Sequence, residues 1–143
     1  GDTEITLASG RKMRADQIFS GEPLKAWSWN DRLDNIDEIN KFDSFKLEKV
    51  KKRKVDKVYK VVVGDKEVRV SDTHGFWLDN NKEVTAVDII PNETKVYIVD
   101  GDTIKLQTVD SVEEIETDEW VYTFEVPGVH NYISNDILSY III

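Results

Sequence analysis

The 143-residue sequence contains no cysteine and only two histidines. Without cysteine, these residues form no disulfide and offer no thiolate metal site and no cysteine nucleophile. The formal charge of −9 argues against a surface that binds nucleic acid over its whole extent. No run of about 18 apolar residues occurs, so we expect no membrane span. The polar first residues lack the features of a signal peptide, and we expect a cytoplasmic protein.

Apolar residues make up 40% of the chain, which is enough for the core of one domain over residues 1–143. One segment, residues 46–60, is strongly basic, but Val50, Val55 and Val58 interrupt it. This alternation is typical of a strand with one solvated face rather than of a phosphate-binding site. We therefore expect a monomer with no nucleic-acid partner.

Short segments rich in valine, isoleucine, tyrosine and tryptophan recur between turn residues, which predicts an all-β fold with very little helix. Gly64-Asp65-Lys66 and Asp100-Gly101-Asp102 each separate two such segments and predict hairpins. Helical signal is confined to about one turn in residues 15–19 and in residues 85–90. An acidic insert over residues 33–45 has no clear pattern. The predicted strands cover residues 4–7, 25–29, 58–63, 67–70, 96–99 and 103–106.

The sequence also contains an internal repeat. Residues 15–29 resemble residues 86–99, with Lys25 matched to Lys95. Residues 58–76 resemble residues 121–132 and lead to the two histidines, His74 and His130. The order of the repeats predicts two similar halves related by a pseudo-two-fold axis, in which the histidines face one reaction centre.

His74 ends the segment Ser71-Asp72-Thr73-His74, directly after a predicted strand. A hydroxyl or carboxylate two or three residues before an imidazole can bend back and orient it. Imidazole titrates near neutrality, so His74 is a candidate general acid or base. The alternative is a core histidine whose nitrogens bond to the backbone.

His130 lies in Gly128-Val129-His130-Asn131, again after a predicted strand. The alternative here is a turn histidine beside a glycine, and we interpret Asn131 as a turn residue. A zinc site with Asp72 or Asp79 is disfavoured, because structural zinc takes four ligands, mainly cysteine and histidine at short spacing. We expect no metal and no cofactor.

Four segments in the same order resemble the conserved blocks of inteins, the Hint-type protein-splicing domains. The start resembles the nucleophile-x-x-Gly-Asp-Thr block, and the His74 segment resembles the Thr-x-x-His block with serine in place of threonine. The His130 segment resembles the penultimate block, Val-Tyr-Asp…His-Asn-Phe…Asn-Gly-Ile. The matching residues are Gly1-Asp2-Thr3, Ser71-Asp72-Thr73-His74, Thr85-Ala86-Val87-Asp88-Ile89, and Val121-Tyr122-Thr123 with His130-Asn131-Tyr132 and Asn135-Asp136-Ile137-Leu138.

The resemblance implies a horseshoe-shaped Hint fold and self-catalysed splicing by acyl shift, transesterification and asparagine cyclisation. Its partners would be the flanking host segments in cis, or a complementary fragment if the domain is split. His74 would protonate the nitrogen that departs at the upstream junction, with Ser71 orienting the ring and Asp72 and Thr73 supporting it. His130 would assist at the downstream junction. The length leaves no room for an inserted homing endonuclease, as in mini-inteins.

Three departures from the family pattern bear on activity. The family's nucleophile would precede Gly1, Ile141 stands where the cyclising asparagine is expected, and Thr123 replaces an aspartate that tunes the nucleophile. We therefore expect these residues alone not to splice, as a trimmed, mutated, excised or decayed form, and expect a complete version to use serine. The alternatives are a hedgehog-type autoprocessing domain and a non-catalytic all-β binding module.

Overall fold

A computed structural model describes residues 3–28, 41–78 and 82–140. Over these ranges the chain is built from strands and two single-turn 3₁₀ helices, with no α-helix, so the predicted all-β class is confirmed. None of the helices in these ranges is long and apolar enough to cross a membrane. The strands are β1 (Glu4–Thr6), β2 (Lys12–Arg14), β3 (Pro23–Trp27), β4 (Phe42–Lys46), β5 (Lys49–Val63), β6 (Lys66–Val70), β7 (Gly75–Trp77), β8 (Glu83–Thr85), β9 (Lys95–Asp100), β10 (Thr103–Thr108), β11 (Ser111–Glu125), β12 (Asn131–Ser134) and β13 (Ile137–Tyr140), and the 3₁₀ helices are Ala15–Gln17 and Ala86–Asp88.

The predicted insert divides in two. Its last residues belong to β4, which pairs with β3, whereas residues 29–40 lie outside the described residues. Both predicted hairpins are confirmed: β5 and β6 join through Gly64 and Asp65, and β9 and β10 join through Gly101 and Asp102. Gly64 and Gly101 adopt φ angles of 63° and 64°, which glycine allows at little cost in these two-residue turns.

The largest sheet contains both the first and the last strand of the described chain. Its order is β10-β9-β13-β12-β1-β2, and β7 pairs with both β13 and β8. A second sheet has the order β11-β5-β6, and β3 pairs with β4 and makes one isolated bridge, from Leu24 to Leu7. Because β1 and β13 both lie beside β12, only one strand separates them, a distance of about 10 Å. The fold therefore places the first and last strands of the described chain one strand apart in the same sheet.

The predicted two-fold repeat has a direct counterpart in the backbone. Each 3₁₀ helix is followed by a residue in the left-handed region, Gly21 at φ 93° and Asn92 at φ 68°. Gly21 N donates to Leu47 O and Asn92 N donates to Val109 O, each at 2.8 Å. Asparagine is one of the few other residues that tolerate this conformation. The same turn is thus made twice with different sequences.

Two of the three hydrophobic cores of the described residues join segments from opposite ends of the repeat. In one core the first 3₁₀ helix and β3 pack against the end of β11 and the start of β12. In the other, the second 3₁₀ helix and β9 pack against β5, β6, β7 and β13. Each repeat segment therefore buries its apolar side against the partner segment of the other half. Core residues in equivalent places include Ala15 and Ala86, Ile18 and Ile89, Leu47 and Val109, Phe124 and Val61, and Val126 and Val63.

One part of the predicted alignment is wrong by two residues. The sequence pattern matches Lys25 to Lys95, but the buried positions of β3 and β9 align Leu24 with Val96. The second turn is one residue longer: Leu47 N donates to Glu22 O directly after the first turn, whereas Val109 N donates to Thr94 O. The sequence match instead makes this segment one residue shorter, so the strand that follows is displaced by two residues from its predicted position.

The basic segment lies in β5, and much of its charge is paired. β5 runs antiparallel to β11, which carries glutamates and an aspartate. Lysines and arginines of β5 lie near acidic side chains of β11 and neighbouring segments, and Lys52 and Lys54 also lie over the ring of Trp120. The ion pairs are Lys51–Glu125, Arg53–Asp72, Lys54–Asp118, Lys57–Glu114 and Lys60–Glu67. The arrangement supports the prediction of a solvated strand face.

Candidate functional site

A cavity of about 300 Å³ lies where β6 and β11 approach β1 and β12. It is lined by Thr3 near the start of the chain and by three predicted site residues, Ser71, His74 and Thr123. Tyr132 also lines it, and burial raises the pKa of this phenol well above its usual value. The phenol therefore stays protonated at neutral pH and offers a hydroxyl, not a base.

His74 connects β6 to β7 and is held from both sides of its backbone. Its N–H donates to Ser71 O at 3.2 Å, and its carbonyl accepts from Ala86 N at 2.9 Å. The ring lies 5.1 Å from Phe76 and 6.4 Å from Tyr132, between centroids. Burial of the ring among these groups lowers the pKa of His74 to about 4, while the residue keeps a partly exposed surface where it lines the cavity. The imidazole is neutral at pH 7.

The side chain that contacts the imidazole is not the one predicted. His74 Nε2 lies 2.8 Å from Ser139 Oγ in β13. Ser71 is buried, and its hydroxyl lies 3.4 Å from Thr73 Oγ1 instead. Ser71 therefore contributes a backbone acceptor and a wall of the cavity. Asp72 is exposed and lies 3.6 Å from an arginine of β5, so the structure places it away from the ring.

His130 lies immediately before β12 and adopts a φ of 54°. This left-handed conformation is uncommon for a residue with a side chain, and here the His130 N–H donates to Val126 O at 3.0 Å. Its Nδ1 is buried and has no hydrogen-bond partner among the residues that the structure describes. Buried nitrogens usually have a partner, so the unsatisfied Nδ1 marks His130 as a candidate site residue.

The two histidines occupy equivalent positions, each one residue before a strand. In the sheet, Tyr140 of β13 pairs with Gly75 on one side and with Asn131 on the other. His74 and His130 are the residues preceding these two partners, so they flank the end of β13, with their strands about 10 Å apart. Only His74 lines the cavity. The two histidines thus both lie beside the end of β13, as a facing pair would, but they do not line the same cavity.

Asn131 is not the turn residue that the sequence suggests, because the structure places it as the first residue of β12, fully buried. Its Oδ1 accepts from Trp27 N at 2.9 Å, and its Nδ2 donates to Trp27 O and to Val129 O, also at 2.9 Å. A buried amide with three satisfied bonds joins β12 to β3. Because Asn131 directly follows His130, these bonds also hold the His130 backbone in place.

Ser134 and Ser139 are site residues that sequence reasoning missed. Both are buried, at 1% and 0% exposure, and Ser139 Oγ donates to Ser134 Oγ at 3.1 Å. The available signal was a serine in the apolar run Ile137-Leu138-Ser139-Tyr140, because a hydroxyl inside a core strand needs a polar partner. Only the pairing of β13 with β7 and β12 identifies that partner.

No group of three histidine, cysteine or carboxylate side chains suited to a metal ion is present among residues 3–28, 41–78 and 82–140. Of the two aspartates considered for zinc, Asp72 points to an ion pair with Arg53 and Asp79 lies outside the described residues.

No known family profile and no curated protein sequence matches this chain. Solved structures do match, over nearly the whole length. The DnaB intein from Synechocystis sp. PCC 6803 has a TM-score of 0.83 and 21% identity, covering 100% of this chain and 96% of that one. The bacterial intein-like domain from Clostridium thermocellum has a TM-score of 0.74 and 17% identity, covering 96% and 94%.

The DnaX mini-intein from Spirulina platensis has a TM-score of 0.73 and 21% identity, with 98% and 96% of the two chains covered. These TM-scores show that the backbone follows the same fold over nearly the whole chain. The chain therefore has the Hint-type, all-β fold of the mini-inteins.

Proposed function

We propose that this chain is a protein-splicing domain that rearranges the peptide bonds joining it to flanking host segments. One observation carries the proposal: Thr3, near the upstream end, lines the same cavity as His74, while β13 ends between the strands that follow His74 and His130. A reaction that excises a segment needs both of its ends at one place. Here His74 is near both ends, because it lines the cavity that Thr3 also lines and it directly precedes the strand that pairs with the end of β13.

At the upstream junction the neutral imidazole acts first as a base. The hydroxyl of a serine three residues before Gly1 would attack the preceding carbonyl carbon, and its proton would pass to His74 Nδ1. The carbon–nitrogen bond then breaks, and the same proton passes to the departing nitrogen. An amide becomes an ester with no net change in protons. A folded-state pKa of about 4 favours the second transfer, because the imidazolium is a strong acid.

Serine requires this help more than cysteine does, since a hydroxyl is a weak nucleophile at neutral pH. Holding the hydroxyl and carbonyl in one chain also removes much of the entropic cost of their encounter. Ser71 and Thr123 are among the polar residues that line the cavity, and their hydroxyls can bond to the reacting groups. Neither role requires a metal or an external cofactor.

At the downstream junction, the candidate proton carrier is His130 Nδ1, which has no hydrogen-bond partner in the described part of the chain. The side chain at position 141 decides the outcome, because isoleucine has no amide to cyclise. With Ile141 in place, the upstream ester would form but the chain would not release itself by cyclisation. Cleavage of the upstream bond, rather than ligation, is then the expected activity.

A fusion between two reporter proteins tests the proposal. It carries serine three residues before Gly1, with Ile141→Asn and Ile142→Ser supplying the cyclising amide and the second nucleophile. We expect joined reporters and free domain on a gel, and upstream cleavage alone when Ile141 and Ile142 are kept. A folded fusion that gives no branch, cleavage or ligation would contradict the proposal and favour the binding module.

A hedgehog-type autoprocessing domain is the second candidate, and Ile141 is the observation that favours it. Such a domain forms the same upstream ester but transfers the acyl group to an outside nucleophile. If the fusion that carries Ile141→Asn cleaves only when hydroxylamine is added and never ligates, this second function is supported. Ligation without an added nucleophile excludes it.

A further inference from the structure

We propose that Ser139 and Ser134 form a buried relay that fixes the tautomer of His74, so that Nδ1 is the ring nitrogen that accepts a proton in the cavity. The inference rests on the proposed function for its catalytic meaning. Its structural part stands on hydrogen bonds within the sheet.

The relay runs across three strands. Ser139 lies in β13, opposite Phe76 of β7 on one side and Tyr132 of β12 on the other. Ser134 is two residues beyond Tyr132, so it lies diagonally across from Ser139 on the same face. Phe76 and Tyr132 are therefore the cross-strand neighbours of Ser139, which is itself fully buried. The polar side-chain atoms within hydrogen-bond distance of its hydroxyl are Ser134 Oγ and His74 Nε2.

The direction of the bonds sets the tautomer. A serine hydroxyl has one proton, and Ser139 donates it to Ser134 Oγ at 3.1 Å. Its lone pairs then face His74 Nε2 at 2.8 Å, so Nε2 must carry the hydrogen. In the neutral ring the other nitrogen, Nδ1, is left with a lone pair. Because His74 lines the cavity and Ser139 does not, Nδ1 is the nitrogen that serves the cavity.

The relay also links the base to the last strand. Ser139 lies two residues before Ile141, the position at which the family pattern has its cyclising asparagine. The ring is therefore oriented only when β13 has docked between β7 and β12. The upstream base is thus positioned by the strand that leads to the downstream junction.

Nitrogen-15 NMR of the His74 ring in the unaltered 143-residue chain tests the tautomer directly. With two histidines in the sequence, a His130→Gln variant identifies the remaining ring. We expect a protonated Nε2 whose hydrogen exchanges slowly with water, and an unprotonated Nδ1. A ring protonated at Nδ1 overturns the proposal, whatever the activity of any fusion.

Two serine variants should act differently. Ser139→Ala removes the partner of Nε2, so its slowly exchanging hydrogen signal should disappear. Ser134→Ala leaves the buried Ser139 hydroxyl without its acceptor, so that hydroxyl should donate to Nε2 and shift the ring toward the Nδ1–H tautomer. Ser71→Ala is the matched control for the ring readout, because its hydroxyl bonds to Thr73. An unchanged ring in both variants contradicts the relay.

The catalytic part is tested in the fusion that carries serine three residues before Gly1. Ser139→Ala and Ser134→Ala should each slow upstream cleavage about tenfold, the lower end of what losing an orienting partner costs. Altered rings with unchanged cleavage rates would overturn the catalytic role. If the parent fusion does not cleave, the proposed function fails, while the ring measurement still decides whether the relay exists.

Discussion

His74 has one ring nitrogen bonded within the sheet, while the cavity that it lines reaches toward the upstream end of the chain. The burial that lowers its pKa to about 4 also has an energetic consequence for folding. In the unfolded chain the ring titrates near 6.5, so between these values the unfolded state binds more protons than the native state. The resulting loss of stability is therefore absent above about pH 6.5 and grows as the pH falls toward 4.

We predict that His74→Gln makes the free energy of unfolding less dependent on pH in the acidic range. Between pH 7 and pH 4.5 the parent should lose about 2 kcal/mol of unfolding free energy more than the variant, because glutamine cannot be protonated. Urea denaturation at the two pH values measures this. Titration of carboxylates affects both proteins and cancels in the difference.

The exposed Ser44→Ala is the control, since it keeps the His74 ring and removes no titratable group, and it should retain the parent's pH dependence in this window. Equal acid sensitivity of the parent and His74→Gln would show that the His74 ring is solvated. The account of a neutral base in a dry site would then fail.

At the residue scale, the sequence predicted which residues belong to the site better than it predicted which side chains they contact. The repeat identified His74 and His130 as equivalent, and both do precede a strand. The partner of the His74 ring was predicted at Ser71, three residues away, because local reasoning favours neighbours in the chain. The observed partner, Ser139, is 65 residues away and depends on strand register. Register across a sheet is a tertiary property.

Among the elements, β12 is the strand on which the site depends most. It pairs with β1 and β13, and the Asn131 amide joins it to Trp27 of β3, which lies in another sheet. No strand pairing connects β12 to β3, so the Asn131 side chain supplies the hydrogen bonds that join these two strands. His130 directly precedes Asn131, and its strained backbone is held partly by this contact.

We predict that Asn131→Ala lowers the free energy of unfolding by about 2–4 kcal/mol, because it leaves the Trp27 N–H unpaired in the interior and opens a small void. Chemical denaturation measures the loss, and hydrogen exchange at the Trp27 amide reports it locally. Ser9→Ala, which removes a surface bond to Arg11 N, should cost under about 0.5 kcal/mol. Similar small losses in both variants would show that the Asn131 amide does not hold β12 to β3.

Strands and hairpins were largely predictable because alternation and turn residues are local signals. Gly64 and Gly101 located two hairpins directly. The exchange of segments between the two cores was not predictable, because nothing near Ala15 in sequence indicates that it packs in one cluster with Phe124. The alignment error at Lys25 has the same origin, since one extra residue in a turn changes which positions face inward.

For the whole molecule, the decisive feature is that the first and last strands flank β12 in one sheet. The family resemblance in four short blocks predicted this fold, and the likeness to solved inteins agrees with it. Identities near 20% do not extend that likeness to activity. Activity depends on residues at the two junctions, and the proposed reaction assigns the upstream step to one imidazole.

The rate of upstream cleavage in a single-turnover assay tests this claim most directly. In the fusion with serine three residues before Gly1, hydroxylamine traps the ester, and mass spectrometry follows the released reporter at about pH 8, where the imidazole is neutral. We predict that His74→Ala slows cleavage by about 100-fold or more while circular dichroism shows an intact fold, and that the exposed Ser44→Ala control keeps the parent rate. Cleavage by folded His74→Ala at the parent rate would contradict the account.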